Sequence, residues 1–182
     1  MIYKHFIDKA VFLDKLATIK LMKVNRMQGK QKVIDAFNAL LANELAAIDQ
    51  YFIHSRMYDD WGLGKLYERL NHEMEEETTH ADWLIKRILF LEGVPNMTNR
   101  RDLLIGHDVK SMMQNDLTLE LEVVSSVKNA IAICEQEQDY QSREVLSKLL
   151  FDTEEDHVYW LEQQLGLMEK IGSQNYIQSQ IG

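Results

Sequence analysis

The chain has 182 residues, 46% of them hydrophobic and 27% charged, with a formal net charge of −9. This is enough for one domain with one substantial core, and the acidity excludes nucleic-acid binding through bulk charge. A single cysteine, Cys134, excludes an intrachain disulfide framework and any cysteine-cluster zinc or iron–sulfur site, and no apolar run reaches the roughly 18 residues of a membrane span.

Residues 1–26 differ from the rest. Five lysines and Arg26 stand against Asp8 and Asp14, which leaves thirteen net negative charges for the remainder. Asp8, Asp14, Lys15 and Lys20 interrupt any signal-peptide core, and no small-residue cleavage site follows. Phe6, Ala10, Leu13 and Ala17 lie at helical spacing. The segment reads either as a short amphipathic helix or as a stretch ahead of a start at Met27. The chain divides accordingly into an N-terminal extension, 1–26, and one helical domain, 27–182. The lone cysteine suits a reducing cytoplasm, where we expect the protein to reside.

From Met27 onward the pattern is helix after helix. Val33, Ile34, Phe37, Leu40, Leu41, Leu45, Ile48 and Phe52 form a stripe of helical period. Gly62 and Gly64 then permit a tight turn, and a second stripe runs Leu66, Leu70, Ala81, Leu84, Ile88 and Leu91 until Gly93, Val94 and Pro95 stop it. A polar stretch from Asn96 to His107 follows. The third stripe is Met113, Leu117, Val124, Val127, Ile131 and Cys134; the fourth is Leu146, Leu150, Leu161, Leu165 and Met168, capped by Asp139 or Ser142. Residues 173–180 form a last short helix, and nothing alternates as a strand would. Two short connections and one long one predict an all-α four-helix bundle of two antiparallel hairpins joined by a crossover, with a short fifth helix at the C-terminus.

The chemistry interrupts the stripes. Glu44 falls between Leu41 and Ile48, Glu77 midway between Leu70 and Leu84, Glu120 between Leu117 and Val124, and Glu154 between Leu150 and Leu161. A carboxylate in a core is costly unless it is paired or holds a cation. Two of the four carry a histidine three residues on, His80 and His157, on the same helical face. Glu44 precedes Glu77 by 33 residues and Glu120 precedes Glu154 by 34, so the chain repeats a lone Glu and then Glu-x-x-His, as an internal duplication would. Four carboxylates balance two divalent ions with both histidines neutral. Imidazole with carboxylate suits iron, and also manganese or zinc. Tyr51, seven residues after Glu44, is either a hydrogen-bond donor beside the site or a core tyrosine.

Longer stretches resemble a known family. Asn43-Glu44-Leu45, Asp49-Gln50-Tyr51-Phe52 with His54 and Arg56-Met57, His72-Glu73 through Glu77 to His80-Ala81-Asp82, and Ile88 to Gly93 carry the likeness. So do Leu119-Glu120, Ser142-Arg143, Glu154-Glu155-Asp156-His157 and Asn175-Tyr176. Over residues 27–182 the chain resembles a bacterioferritin, of ferritin-like fold. The resemblance implies iron storage and detoxification by a ferroxidase, an enzyme oxidising Fe(II) to Fe(III) with dioxygen or hydrogen peroxide. Its ligands would be Glu44, Glu77, His80, Glu120, Glu154 and His157, with Glu77 and Glu154 bridging two irons per subunit. It further implies a shell of about twenty-four subunits that holds ferric mineral. His72 and Glu76 resemble the family's inner-surface iron site.

One position departs from the family. Bacterioferritins bind haem at a twofold interface through a methionine directly after the first bridging glutamate, and here that residue is Thr78. A hydroxyl replaces a thioether poorly on haem iron, so haem is not expected. Such a subunit would assemble alone or mix with a haem-binding bacterioferritin subunit. An alternative reading makes the chain mainly a structural, metal-binding partner in a mixed shell. One cysteine rules out a rubredoxin-like module, and a complete ligand set within one chain differs from the intersubunit sites of mini-ferritins.

Overall fold

The computed structural model describes residues 29–182; the extension and its amphipathic-helix reading lie outside the described residues. Helix α1 spans Gln31–Asp60, α2 Gly64–Phe90 and α3 Val109–Gln136. The fourth rod is composite: α4, Tyr140–Asp152, runs through a π turn, Thr153–Val158, into α5, Tyr159–Ile171. A short α6, Ser173–Ser179, follows Gly172, whose φ of 81° suits glycine. Helix α1 packs on α2 and α3, α3 packs on the whole fourth rod, and α2 contacts α4, closing a four-rod bundle. No helix among the described residues is long and apolar enough to cross a membrane.

The caps follow from local chemistry. Asp108 accepts from the Ser111 amide at 2.8 Å while Ser111 Oγ accepts from the Asp108 amide at 3.1 Å, a reciprocal box that starts α3. Asp139 is the N-cap of α4 and binds both the amide and the hydroxyl of Ser142; Arg87 of α2 grips the pair through Nη2 and Nε. Burial pulls Asp139 upward, but these hydrogen bonds and the guanidinium hold its carboxyl below the ordinary range.

The crossover from Leu91 to Asp108 is fastened along α1. Asn38 accepts from the Asn96 amide (2.7 Å) and donates to the Val94 carbonyl (3.2 Å); one helical stretch further, Gln50 accepts from the Leu104 amide (2.9 Å). Buried Asp116 of α3 completes the strap: one oxygen receives Gln50 Nε2 at 2.7 Å and His54 Nδ1 at 2.8 Å. The Gly106 amide points at His54 Nε2, 3.4 Å away. That geometry assigns the proton to Nδ1, with Nε2 left as acceptor. A side chain at Gly106 would put its Cβ 2.5 Å from the Met112 amide nitrogen, so glycine is required where the strap turns into α3.

The apolar stripes bury the predicted faces, with exceptions at their margins. Phe52 is half exposed and stacks under the Arg56 guanidinium, 4.8 Å from its ring centre. At the far end α6 returns to α2, where the Ser179 carbonyl accepts from Lys65 Nζ at 2.7 Å and Tyr176 is fully buried.

Candidate metal centre

Midway along the bundle, all four rods send polar side chains inward. Glu44 from α1, Glu77 and His80 from α2, Glu120 from α3 and His157 from the π turn are each at most 2% exposed. Glu77 lies between two groups. Its Oε2 is 3.1 Å from His80 Nδ1, and its Oε1 is 3.0 Å from His157 Nδ1. Glu44 Oε2 approaches the same nitrogen of His80 at 3.6 Å, and Glu120 Oε1 the same nitrogen of His157 at 3.6 Å. Two cation-sized sets, Glu44–Glu77–His80 and Glu77–Glu120–His157, share one carboxylate, and a third, Glu73–Glu76–His157, lies on the other side of the His157 ring. The imidazole centres are 5.7 Å apart.

The donors are poorly satisfied by the protein itself. Both oxygens of Glu44, Oε2 of Glu120 and both ring nitrogens of His157 are buried without an aligned hydrogen-bond partner. The contacts at His157 are close in distance but not in direction, so neither ring nitrogen is engaged by an aligned partner within the chain. Buried polar groups normally find partners, and a pair of divalent cations fits this donor set.

Protons hold the charges together when no cation does. Burial raises the Glu44 carboxyl well above its usual range, and the charge of Glu77 adds to it. Burial would raise Glu77 too, but the nearby positive charge of His157 and the hydrogen bond with His80 hold it well below. Glu120 is raised by burial and by Glu77. Burial works against the charged form of His80, yet its bonds to Glu44 and Glu77 lift it to about 10. His157 is likewise lifted, by Glu120 and Glu77 against burial. The phenol of Tyr51 donates to Glu120 Oε1, so it does stand beside the site.

Five of the six predicted ligand residues therefore meet. Glu154 does not meet them: its side chain is 39% exposed, with Oε1 2.6 Å from Lys128 Nζ. His72 and Glu76 lie 3.8 Å apart on a half-exposed surface, and Glu76 also reaches to within 3.4 Å of His157 Nε2.

Two participants escaped the sequence reading. Glu73 is 2% exposed, with Oε2 3.0 Å from His157 Nε2 and Oε1 2.6 Å from Arg69 Nε. Burial pushes it up to about 7 against the pull of His157 and Arg69. Its signal was available, since it follows Leu70 by three residues and precedes Glu77 by four, on the same stripe. Asp152 lies 3.5 Å from His80 Nε2, on the outer side of that ring; nothing in its spacing marks it.

The family model for the ferritin-like domain matches residues 34–171. Among characterised proteins, the chain is 60% identical over 155 residues to the bacterial ferritin of Synechocystis sp., covering 85% of this chain and 99% of that one. It is 60% identical over 155 residues to the bacterial ferritin of Pseudomonas aeruginosa, covering 85% and 100% of the two chains. Against the bacterioferritin of Brucella melitensis the figure is 42% over 150 residues, covering 82% and 92%.

Proposed function

The chain belongs to the ferritin family of iron-storage proteins, and from that premise we propose that it is a ferroxidase whose centre is the buried cluster of Glu44, Glu77, His80, Glu120 and His157, joined by Glu154. The observation that carries this reading is Glu77, which divides its two oxygens between two histidine–carboxylate sets. A bridging carboxylate between ions about 3.5–4 Å apart is what two-electron chemistry at a metal pair needs.

Ferrous iron is the substrate. Glu44 and His80 hold one ion, Glu120 and His157 the other, and Glu77 lies between them. Two ferrous ions together give two electrons, enough to reduce dioxygen to hydrogen peroxide with uptake of two protons, or peroxide to water. The ferric product leaves for storage. Tyr51 orients Glu120 by its hydrogen bond. For iron to bind, both imidazoles must give up the protons that the carboxylates hold on them.

Self-association into a hollow shell accounts for the outer surface. Phe90, Phe151 and Tyr159 are each 57–64% exposed, and Leu89 54%, a display of large apolar groups beyond what an isolated bundle needs. Haem has no ligand at the position where the family places it: the Thr78 hydroxyl donates to the Met74 carbonyl at 2.9 Å.

Anaerobic titration with ferrous iron, followed by controlled addition of dioxygen or peroxide, tests the reading. Two ions bound per chain before oxidation support it. Slow oxidation with no saturable phase would sink it.

A further inference from the structure

Glu154 and His157 are three residues apart, yet they face different surroundings. In a regular helix they would share a face. Here the imidazole is fully buried among carboxylates, while the Glu154 side chain is 39% exposed. The cause is the π turn, Thr153–Val158, whose wider winding carries the two side chains apart. Thr153, itself buried, donates to the Leu149 carbonyl at 2.9 Å at the entry to the turn.

Across from the turn, α3 supplies the counter-ion. Lys128 stands eight residues beyond Glu120, about 12 Å along the helix at ~1.5 Å per residue. Its Nζ is 2.6 Å from Glu154 Oε1, and its side chain is 56% exposed.

Charge explains why such an arrangement is useful. Without metal, the carboxylates of Glu44, Glu77 and Glu120 already outnumber the two imidazoles beside them, and a fourth would add repulsion. With two dications present, three carboxylates and two neutral imidazoles leave one positive charge uncompensated, which Glu154 would cancel.

We propose that Lys128 is a positioning residue that holds Glu154 outside the centre until metal arrives, and that the π turn is the hinge over which Glu154 then swings in as the sixth ligand. The proposal rests on the ferroxidase reading of the cluster. An exposed ion pair is weak, so a dication can outcompete it. The pair favours the open state of the hinge and weakens only the step that draws on Glu154. Removing the lysine charge therefore makes that step easier.

The test is an anaerobic cobalt(II) titration of the full assembled chain, followed by visible absorption and calorimetry. Four forms are compared: the unaltered protein, Lys128→Gln, Glu154→Gln and the double variant. Both positions are partly exposed, so the fold is retained, with circular dichroism as the control. Lys128→Gln should tighten the second cobalt ion roughly two- to fivefold, the range an exposed pair can contribute. That gain should vanish in the Glu154→Gln background, where the cycle isolates the coupling. Equal affinities for the unaltered protein and Lys128→Gln would overturn the proposal, as would a lysine effect that persists without Glu154. Fewer than two cobalt ions per unaltered chain would overturn the centre itself, and the hinge with it.

Discussion

Glu73 stands behind His157, its Oε2 3.0 Å from the ring nitrogen that faces away from Glu77. Carboxylates in that position fix the tautomer and orientation of a metal-binding histidine. Arg69 holds Glu73 in turn, and is itself bound to Asp156 at 2.6 Å, so the support returns to the π turn that carries His157. Glu73→Ala should weaken the ion held by His157 by about 10–100-fold and leave the ion at Glu44 and His80 nearly unchanged. Resolved cobalt titration would show this as one lost affinity out of two; equal loss at both sites would contradict it.

Glu120 contributes to one set alone and receives the Tyr51 phenol. Its replacement by alanine should slow initial iron oxidation by at least ~10–100-fold, the scale seen when even a supporting group is lost. Helix content should be unchanged, because the rest of α3 keeps its apolar face. Stopped-flow absorbance of ferric product against far-ultraviolet circular dichroism separates the two effects.

The pH response of the metal-free protein has a definite sign. His80 titrates at about 10 in the fold against 6.5 unfolded, so the folded chain holds a proton that the unfolded chain gives up. That stabilisation is complete below about pH 6.5 and is lost as pH rises toward 10. Glu44 and Glu120, also raised, act in the same direction from lower pH; Glu77, held low, contributes stability that disappears on acidification. The melting temperature of the metal-free chain should fall by roughly 5 °C or more between pH 6.5 and 9.5, each kcal/mol being worth about 2–4 °C at this length. With zinc bound the trend should reverse, because metal competes with those protons. Scanning calorimetry at both pH values, with and without zinc, provides the check.

Asp116 is fully buried and satisfies Gln50 and His54 with one oxygen. Asp116→Ala strands both donors and should cost about 1–3 kcal/mol, the cost of leaving buried polar groups unpaired. The loosening should concentrate at residues 104–106, visible as faster amide exchange there than in α2.

Thr78 permits a test against the family's own pattern. Expressed alone with ample haem, the protein should purify without the spectrum of a bis-methionine haem, and Thr78→Met should create that spectrum if the surrounding pocket accepts porphyrin. A full complement of such haem in the unaltered protein would mean that Met74 had been recruited, which requires the helix to shift by about one turn, ~5.4 Å.

Much of this was legible from residue order. Glu44, Glu77 and Glu120 announced themselves because each sits in a run whose period is otherwise apolar, and their histidines followed from i, i+3 spacing. The crossover was legible from its length. Its fastenings were not, because Asn38, Gln50, His54 and Asp116 are polar residues of ordinary type, and only the fold shows that they line one rail. Glu73 hid among Glu75, Glu76 and Glu77, where an acidic run conceals which members face inward. The outward turn of Glu154 has no signal in residue order, since α-helical spacing does not hold through a segment that winds as a π turn.

The way the cluster draws on the four rods also bears on the order in which the chain can acquire it. Glu44, Glu77 and His80 belong to the first hairpin, the two glutamates 33 positions apart. His157 lies 80 residues beyond Glu77, across the crossover. Hairpin contacts are local and close quickly; those that bring in the fourth rod must first close a long loop. During synthesis, one complete cation set therefore leaves the ribosome well before its partner exists. A nascent hairpin carries a half-built centre open to water, and its carboxylates become a buried burden only when α3 and the last rod dock.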